Sequence, residues 1–156
     1  MSTAVLNVDG ASFGNPGPSG IGYVLSLGGK TVEEVSLDIG WGTNNQAEYR
    51  ALEAALRAAK NHGAKKVMVR SDSQLLVNQM LGKYKVKDAR LKLLKAELDH
   101  LVTNFEDVHF SYVPRELNAR ADELAKAGAE AAQLRGVRPA QDPPTGGPYD
   151  QEPLLE

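Results

Sequence analysis

The chain has no cysteine among its 156 residues. That excludes a disulfide framework, a thiolate metal site and a cysteine nucleophile. No apolar run approaches the roughly 18 residues of a membrane-crossing helix, and the opening stretch MSTAVLNVDG lacks the charged-then-apolar layout of a secretory signal. The expectation is a cytoplasmic protein with no membrane association. An excess of one charge is missing too: 18 basic residues face 20 acidic ones, a net −2. Residues 138–156 hold one arginine against four acids (Asp142, Asp150, Glu152, Glu156), a local −3 that leaves the body 1–137 at +1. Bulk charge therefore neither demands nor excludes a nucleic-acid partner, and local clustering has to decide. There is also no internal repeat.

What is present has the balance of a globular domain, with 42% hydrophobic and 24% charged residues. The length suits one domain able to bury its own core. Five of the eight prolines fall within residues 137–156, a stretch with no apolar period. Residues 1–134 are read as the folded domain and 135–156 as a Pro/Gly-rich tail or linker, with a second domain beyond it as the sharper alternative. Within the body, TAVLNVDG alternates as a strand and FGNPGPSGIG reads as a turn. YVLSLGGKTVEEVSLDIGW reads as two strands joined at Gly28-Gly29. From Asn44 a helix is expected with Ala47, Ala51, Leu52, Ala55, Leu56 and Ala59 inward, stopped at Gly63. KKVMVRSD gives a strand and SQLLVNQMLG a short helix. Leu91, Leu94, Leu98, Leu101 and Phe105 line another helix capped by Asp88. VHFSYVP is a last strand, and Asn118 is expected to cap a last helix. Trp41 and Tyr112 are expected to pack in the core. A hairpin start followed by strand–helix alternation implies an α/β fold, a mixed sheet covered by helices.

Four carboxylates fall at the junctions of these elements. Asp9 ends the first strand, Glu48 lies in the first turns of the first long helix, Asp72 ends the fourth strand, and Asp122 lies near the start of the last helix. In an open α/β sheet the ends of central strands form one crevice for ligands. Four carboxylates converging there repel one another unless cations hold them together. Oxygen-only ligation suits Mg²⁺ or Mn²⁺, not zinc. Taken singly each acid has an ordinary reading: a turn dipeptide at Asp9-Gly10, a dipole-favoured acid at Glu48, a helix cap at Asp72, and a surface pair of Asp122 with Lys126.

The polar company of these acids goes beyond those readings. The blocks VDGASFGNPGPSGIG, TNNQAEYRALEAAL, VRSDSQLLVNQM and VPRELNARADELAKAG, in this order, closely resemble type 1 ribonuclease H over roughly residues 3–132. The short connection after SDSQLLVNQM resembles the compact, archaeal-like members, which lack an inserted basic handle. The resemblance implies a ribonuclease H-like fold, a five-stranded mixed sheet with helices on both faces. It also implies an endonuclease that hydrolyses the RNA strand of RNA–DNA hybrids by a two-metal-ion mechanism, leaving 5′-phosphate and 3′-hydroxyl ends. By resemblance Asp9 bridges two Mg²⁺ or Mn²⁺ ions, Asp122 completes one site, and Glu48 and Asp72 complete the other.

The same resemblance implies contacts to the 2′-hydroxyl, which donates and accepts, from Asn15, Asn44, Asn45, Gln74 and the backbone of Gly10, Ala11, Ser12 and Phe13. Asn44 or Asn45 can also serve as a helix cap. The stretch KYKVKDARLKLLK sets six basic residues against Asp88. Such a run is usually a solvated face. Beside a hybrid site, Lys83, Lys85 and Lys87 read as a phosphate-tracking surface, helped by Tyr84. One departure stands out. Many bacterial relatives carry a histidine in the loop before the last aspartate, whereas His62, His100 and His109 all fall outside it here. Arg115 occupies that loop and cannot shuttle a proton near neutral pH, so its expected role is electrostatic or in product release. The alternatives are a related nuclease acting on DNA, which has no use for 2′-hydroxyl contacts, and a catalytically inactive hybrid-binding module. Double-stranded RNA stands as an additional substrate, and a monomer is the expected state.

Overall fold

The computed structural model describes residues 3–139. Three antiparallel strands come first: β1 (Thr3–Ser12), β2 (Gly17–Leu27) and β3 (Lys30–Gly42). Then follow α1 (Asn44–Asn61), β4 (Lys66–Ser71), α2 (Gln74–Met80), α3 (Ala89–Val102), β5 (Asp107–Tyr112), one 3₁₀ turn (Arg115–Asn118) and α4 (Ala119–Arg135). The order matches the sequence reading, the 3₁₀ turn excepted. Residues 140–156, most of the stretch read as a tail or linker, lie outside the described residues.

The sheet runs β3-β2-β1-β4-β5, antiparallel among the first three strands and parallel from β1 through β4 to β5. Period-2 alternation gives its strands two faces. On one, Ala4, Leu6, Val8, Ile21, Tyr23 and Leu25 form a core with the inward residues of α1 and with Leu91, Leu98, Leu101 and Phe105 of the α3 region. On the other, α4 lies across β2 with Ala121, Ala125, Ala129 and Ala132 buried. The approach is close because β2 offers Gly20 and Gly22, where side chains would strike the α4 backbone. Helices thus cover both faces, as the resemblance implies.

Local chemistry explains the boundaries. Gly28 and Gly29 have φ of 59° and 80°, the pair of positive values that a tight hairpin turn with the strands' own twist requires. Asp88 caps α3 through bonds to the Arg90 and Leu91 amides. Four details differ from the sequence reading. β1 continues past Asp9 to Ser12, and β2 begins at Gly17 inside the supposed turn, because Ser12 pairs with Ser19 and each strand extends the other. The α1 cap is Thr43, in a reciprocal capping box with Gln46, and neither Asn44 nor Asn45. Asn118 stands at the cap position of α4 but makes no side-chain cap bond, since its amide is engaged elsewhere. Trp41 and Tyr112 are exposed, near the end of β3 and at the end of β5.

Candidate active site

The parallel pairing of β1 with β4 sets the site. Val8 is in register with Ser71, so the next residue of each strand, Asp9 and Asp72, emerges at the same end of neighbouring strands. Glu48 comes from the second turn of α1, which is pressed onto β1 at Gly10: a Cβ there would lie 2.3 Å from the Ala47 carbonyl carbon and 2.4 Å from the Glu48 nitrogen. The Gly10 amide donates to Glu48 Oε1 at 3.2 Å. Asp122, in the first turn of α4, completes the group from the opposite face of the sheet.

All four carboxylates line one open cleft of about 420 Å³. The Gly10–Phe13 edge, Asn44, Arg115 and Lys126 form the rest of its wall. Asn15 stands beside it, its Oδ1 accepting from the Asn44 amide at 2.9 Å. Asn45, Gln74, Lys83, Lys85 and Lys87 do not line the cleft. Lys126, read from sequence as half of a surface pair, does belong to it.

The electrostatics are those of crowded anions. Burial pushes the Asp9 carboxyl far above the ordinary carboxylate range, and Glu48, Asp72 and Asp122 push the same way. Burial also raises Glu48, with Asp72 adding to it and the Gly10 amide working against it. For Asp122, burial is outweighed by the hydrogen bond from Asp9 and by Lys126 and Arg115, and the net direction is down. Both cations stand 3.4 Å from its carboxylate oxygens. Hard oxygen donors with no sulfur or imidazole among them fit Mg²⁺ or Mn²⁺. Among the described residues no three acidic or histidine side chains already form a closed cation cage. The donor chemistry fits a divalent ion.

A pH effect follows. Asp9 and Glu48 have folded values above the unfolded ones near 4. Their stabilising contribution is complete below about pH 4 and is lost as pH rises through the folded values. Without divalent ions, the melting temperature is expected to fall from pH 6 to pH 9, and millimolar Mg²⁺ should flatten that fall. Thermal melts followed by circular dichroism measure both; a metal-free curve flat over this range would contradict the assignment.

Sequence reasoning missed Asn118. Its side chain is buried, and Nδ2 donates to the Val8 carbonyl at 2.8 Å and to Asp72 Oδ1 at 3.1 Å. Its Oδ1 accepts from Asn7 Nδ2 at 3.0 Å. One amide thus ties β1, the end of β4 and the entry to α4 together while aiming Asp72. The local signal was identical to that of a helix cap, so only the folded chain separates the two roles. Asn118→Ala strands the Val8 carbonyl and frees Asp72. We expect a loss of about 1–3 kcal/mol in urea melts.

Comparisons with known proteins agree with this geometry. The family model described as Reverse transcriptase-like matches residues 7–128. Ribonuclease HI of Halobacterium salinarum is 45% identical over 125 residues, covering 80% of this chain and 63% of that protein. The Bifunctional protein Rv2228c of Mycobacterium tuberculosis is 41% identical over 130 residues, 82% of this chain and 36% of that protein. The chain thus spans less than two thirds of the length of either relative. The crystal structure of LC11-RNase H1 in complex with an RNA/DNA hybrid superposes with a TM-score of 0.79 at 42% identity, covering 83% of this chain and 99% of that one.

Proposed function

The chain belongs to the ribonuclease H family, and from that premise we propose that it is an endonuclease hydrolysing the RNA strand of RNA–DNA hybrids. The observation that carries the reading is the cleft itself, where four carboxylates from four elements meet a backbone edge able to face a sugar. Asp9, Glu48, Asp72 and Asp122 would hold two divalent ions, Mg²⁺ or Mn²⁺. When bound, the ions supply an activated water and charge stabilisation at the scissile phosphate, and the products carry 5′-phosphate and 3′-hydroxyl ends.

The remaining work belongs to the chain's own residues. The Gly10–Phe13 backbone, with Asn44 lining the same cleft, presents donors and acceptors that complement a 2′-hydroxyl, which DNA lacks. Asn15 fixes the start of α1 and so the position of Asn44. Asn45 and Gln74, outside the cleft wall, would serve the flanking nucleotides. Arg115 is largely exposed and pairs with Asp122. A permanent cation there attracts a phosphate and helps the product leave, without carrying a proton.

The test uses a labelled RNA–DNA hybrid beside matched RNA–RNA and DNA–DNA duplexes, with Mg²⁺, Mn²⁺ or EDTA, and Asp72→Asn as the control. Cutting of the hybrid's RNA strand, lost in EDTA and in the control, is the expected result. Cutting of the RNA–RNA duplex would add that substrate. Tight hybrid binding with no cutting under either metal would replace this reading with that of a binding module.

A further inference from the structure

The stretch between α2 and α3, residues 81–88, has no regular secondary structure, and Lys83, Tyr84, Lys85 and Lys87 are all exposed. The one acid within it, Asp88, is committed to capping α3. Lys83, Lys85 and Lys87 form no ion pair among the described residues, whereas Lys95, Arg57, Arg120 and Arg135 all do. A loop with three uncompensated cations and no regular backbone would ordinarily be loose.

This one is tied down from beneath. Gln79, at the end of α2, is buried, and its Nε2 donates to the Lys85 carbonyl at 3.2 Å. Its Oε1 accepts from the hydroxyl of Tyr49, which is also buried and is the residue next to Glu48 on α1. The Lys85 carbonyl fixes which way the amide faces, because a carbonyl only accepts and the NH₂ end alone can donate to it, which leaves Oε1 to accept from the Tyr49 hydroxyl. The Asn78 carbonyl adds bonds from the Lys83 and Tyr84 amides at 2.8 and 3.2 Å. A polar chain therefore runs through the interior from the helix of a cleft carboxylate to the backbone of the basic loop.

We propose that the Tyr49–Gln79–Lys85 hydrogen-bond chain is a positioning device that holds the lysines of residues 83–87 in fixed register with the carboxylate cleft, so that they meet duplex phosphates without an ordering cost on binding. It rests on the hybrid-cleavage reading above. The spacing suits the task. α2 begins two residues after Asp72 and spans about 10 Å, roughly three base steps at about 3.4 Å per step. The loop thus falls within the reach of one bound duplex.

Two variants remove the chain with little change of volume, Tyr49→Phe and Gln79→Met. Hybrid affinity is read by fluorescence anisotropy in EDTA, turnover in Mg²⁺, and loop order by amide hydrogen exchange over residues 82–87. Each variant is expected to raise Kd and KM about 3- to 10-fold, the cost of ordering a few side chains, with kcat within twofold and faster exchange in the loop. The double variant should be no worse than either single one, since both break the same chain.

Faster exchange with unchanged Kd would overturn the proposal, and so would a fall in kcat at constant Kd, which would assign the chain to Glu48 instead. The triple variant Lys83→Ala, Lys85→Ala, Lys87→Ala is the separate control. If it binds hybrid as the parent does with the same salt dependence, the loop is not a phosphate surface and the proposal fails while the cleavage reading stands. If the parent neither binds nor cuts hybrid, the cleavage reading itself fails.

Discussion

Asp9→Asn should lower hybrid cleavage by at least about 1000-fold, several kcal/mol of transition-state stabilisation, and in the same protein raise the metal-free melting temperature at pH 8. The two effects have one cause. Asp9 is 5% exposed and shares its surroundings with Glu48, Asp72 and Asp122. Its charge is costly in the metal-free fold and is what a divalent ion requires. An amide keeps the shape, can still bond to Asp122, and removes the repulsion. Initial rates on labelled hybrid, paired with melts in EDTA and in Mg²⁺, read both sides. Loss of activity with a lowered metal-free melting temperature would mean that Asp9 is held by contacts other than those described here, and retained activity would remove it from the reaction.

Gly20→Ala is expected to be strongly disruptive although it lies outside the cleft. A Cβ at Gly20 would lie 2.1 Å from the Ala129 nitrogen, 2.3 Å from the Gly128 carbonyl carbon and 2.6 Å from the Ala125 oxygen. All three are backbone atoms of α4, so no side chain can rotate away, and the helix itself must lift. Overpacking of a filled interior costs about 1–3 kcal/mol, and with backbone on both sides we expect the upper end, about 3 kcal/mol or a melting temperature lower by about 10 °C. Gly28→Asn is the comparison: φ is 59° there and nothing lies within 4 Å. Asparagine tolerates that conformation in a hairpin turn, so its change should stay within about 0.5 kcal/mol. Similar losses at the two positions in denaturant melts would show that α4 does not rest on β2 as described. Because α4 carries Asp122, the lifted helix should also lose activity.

Much of this architecture is legible in the sequence where a local signal decides the outcome. Gly28-Gly29 can hardly be anything but a tight turn, and Asp88 before an apolar stripe is a cap wherever the helix packs. The four carboxylates were legible because strand ends and helix starts are local features, and the ordered polar blocks around them identify the family. Apart from the α1 cap, set by the local pair Thr43 and Gln46, the failures share a cause in nonlocal pairing. FGNPGPSG has the composition of a turn throughout, yet Gly17 onward is strand because β1 lies alongside it. Thr43 outcompetes Asn44 and Asn45 because Gln46 stands at the right offset to answer it. Asn118 carries the local mark of a cap and spends its amide on β1 and Asp72 instead. Trp41 and Tyr112 look like core by type, but whether a helix covers a strand's end is a property of the whole sheet.

The register of β1 against β4 works as a ruler made of peptide. Adjacent strands sit about 4.8 Å apart whatever side chains they carry, and Asp9 and Asp72 each follow directly on a paired residue, Val8 and Ser71. The lateral offset between the two carboxylate-bearing backbones is therefore inherited from hydrogen-bond length, not tuned by packing. Core substitutions beneath the sheet can make the ruler easier to melt but cannot stretch it. Drift in the apolar interior beneath β1 and β4 is free to change how long the fold survives while leaving the spacing of Asp9 and Asp72 untouched.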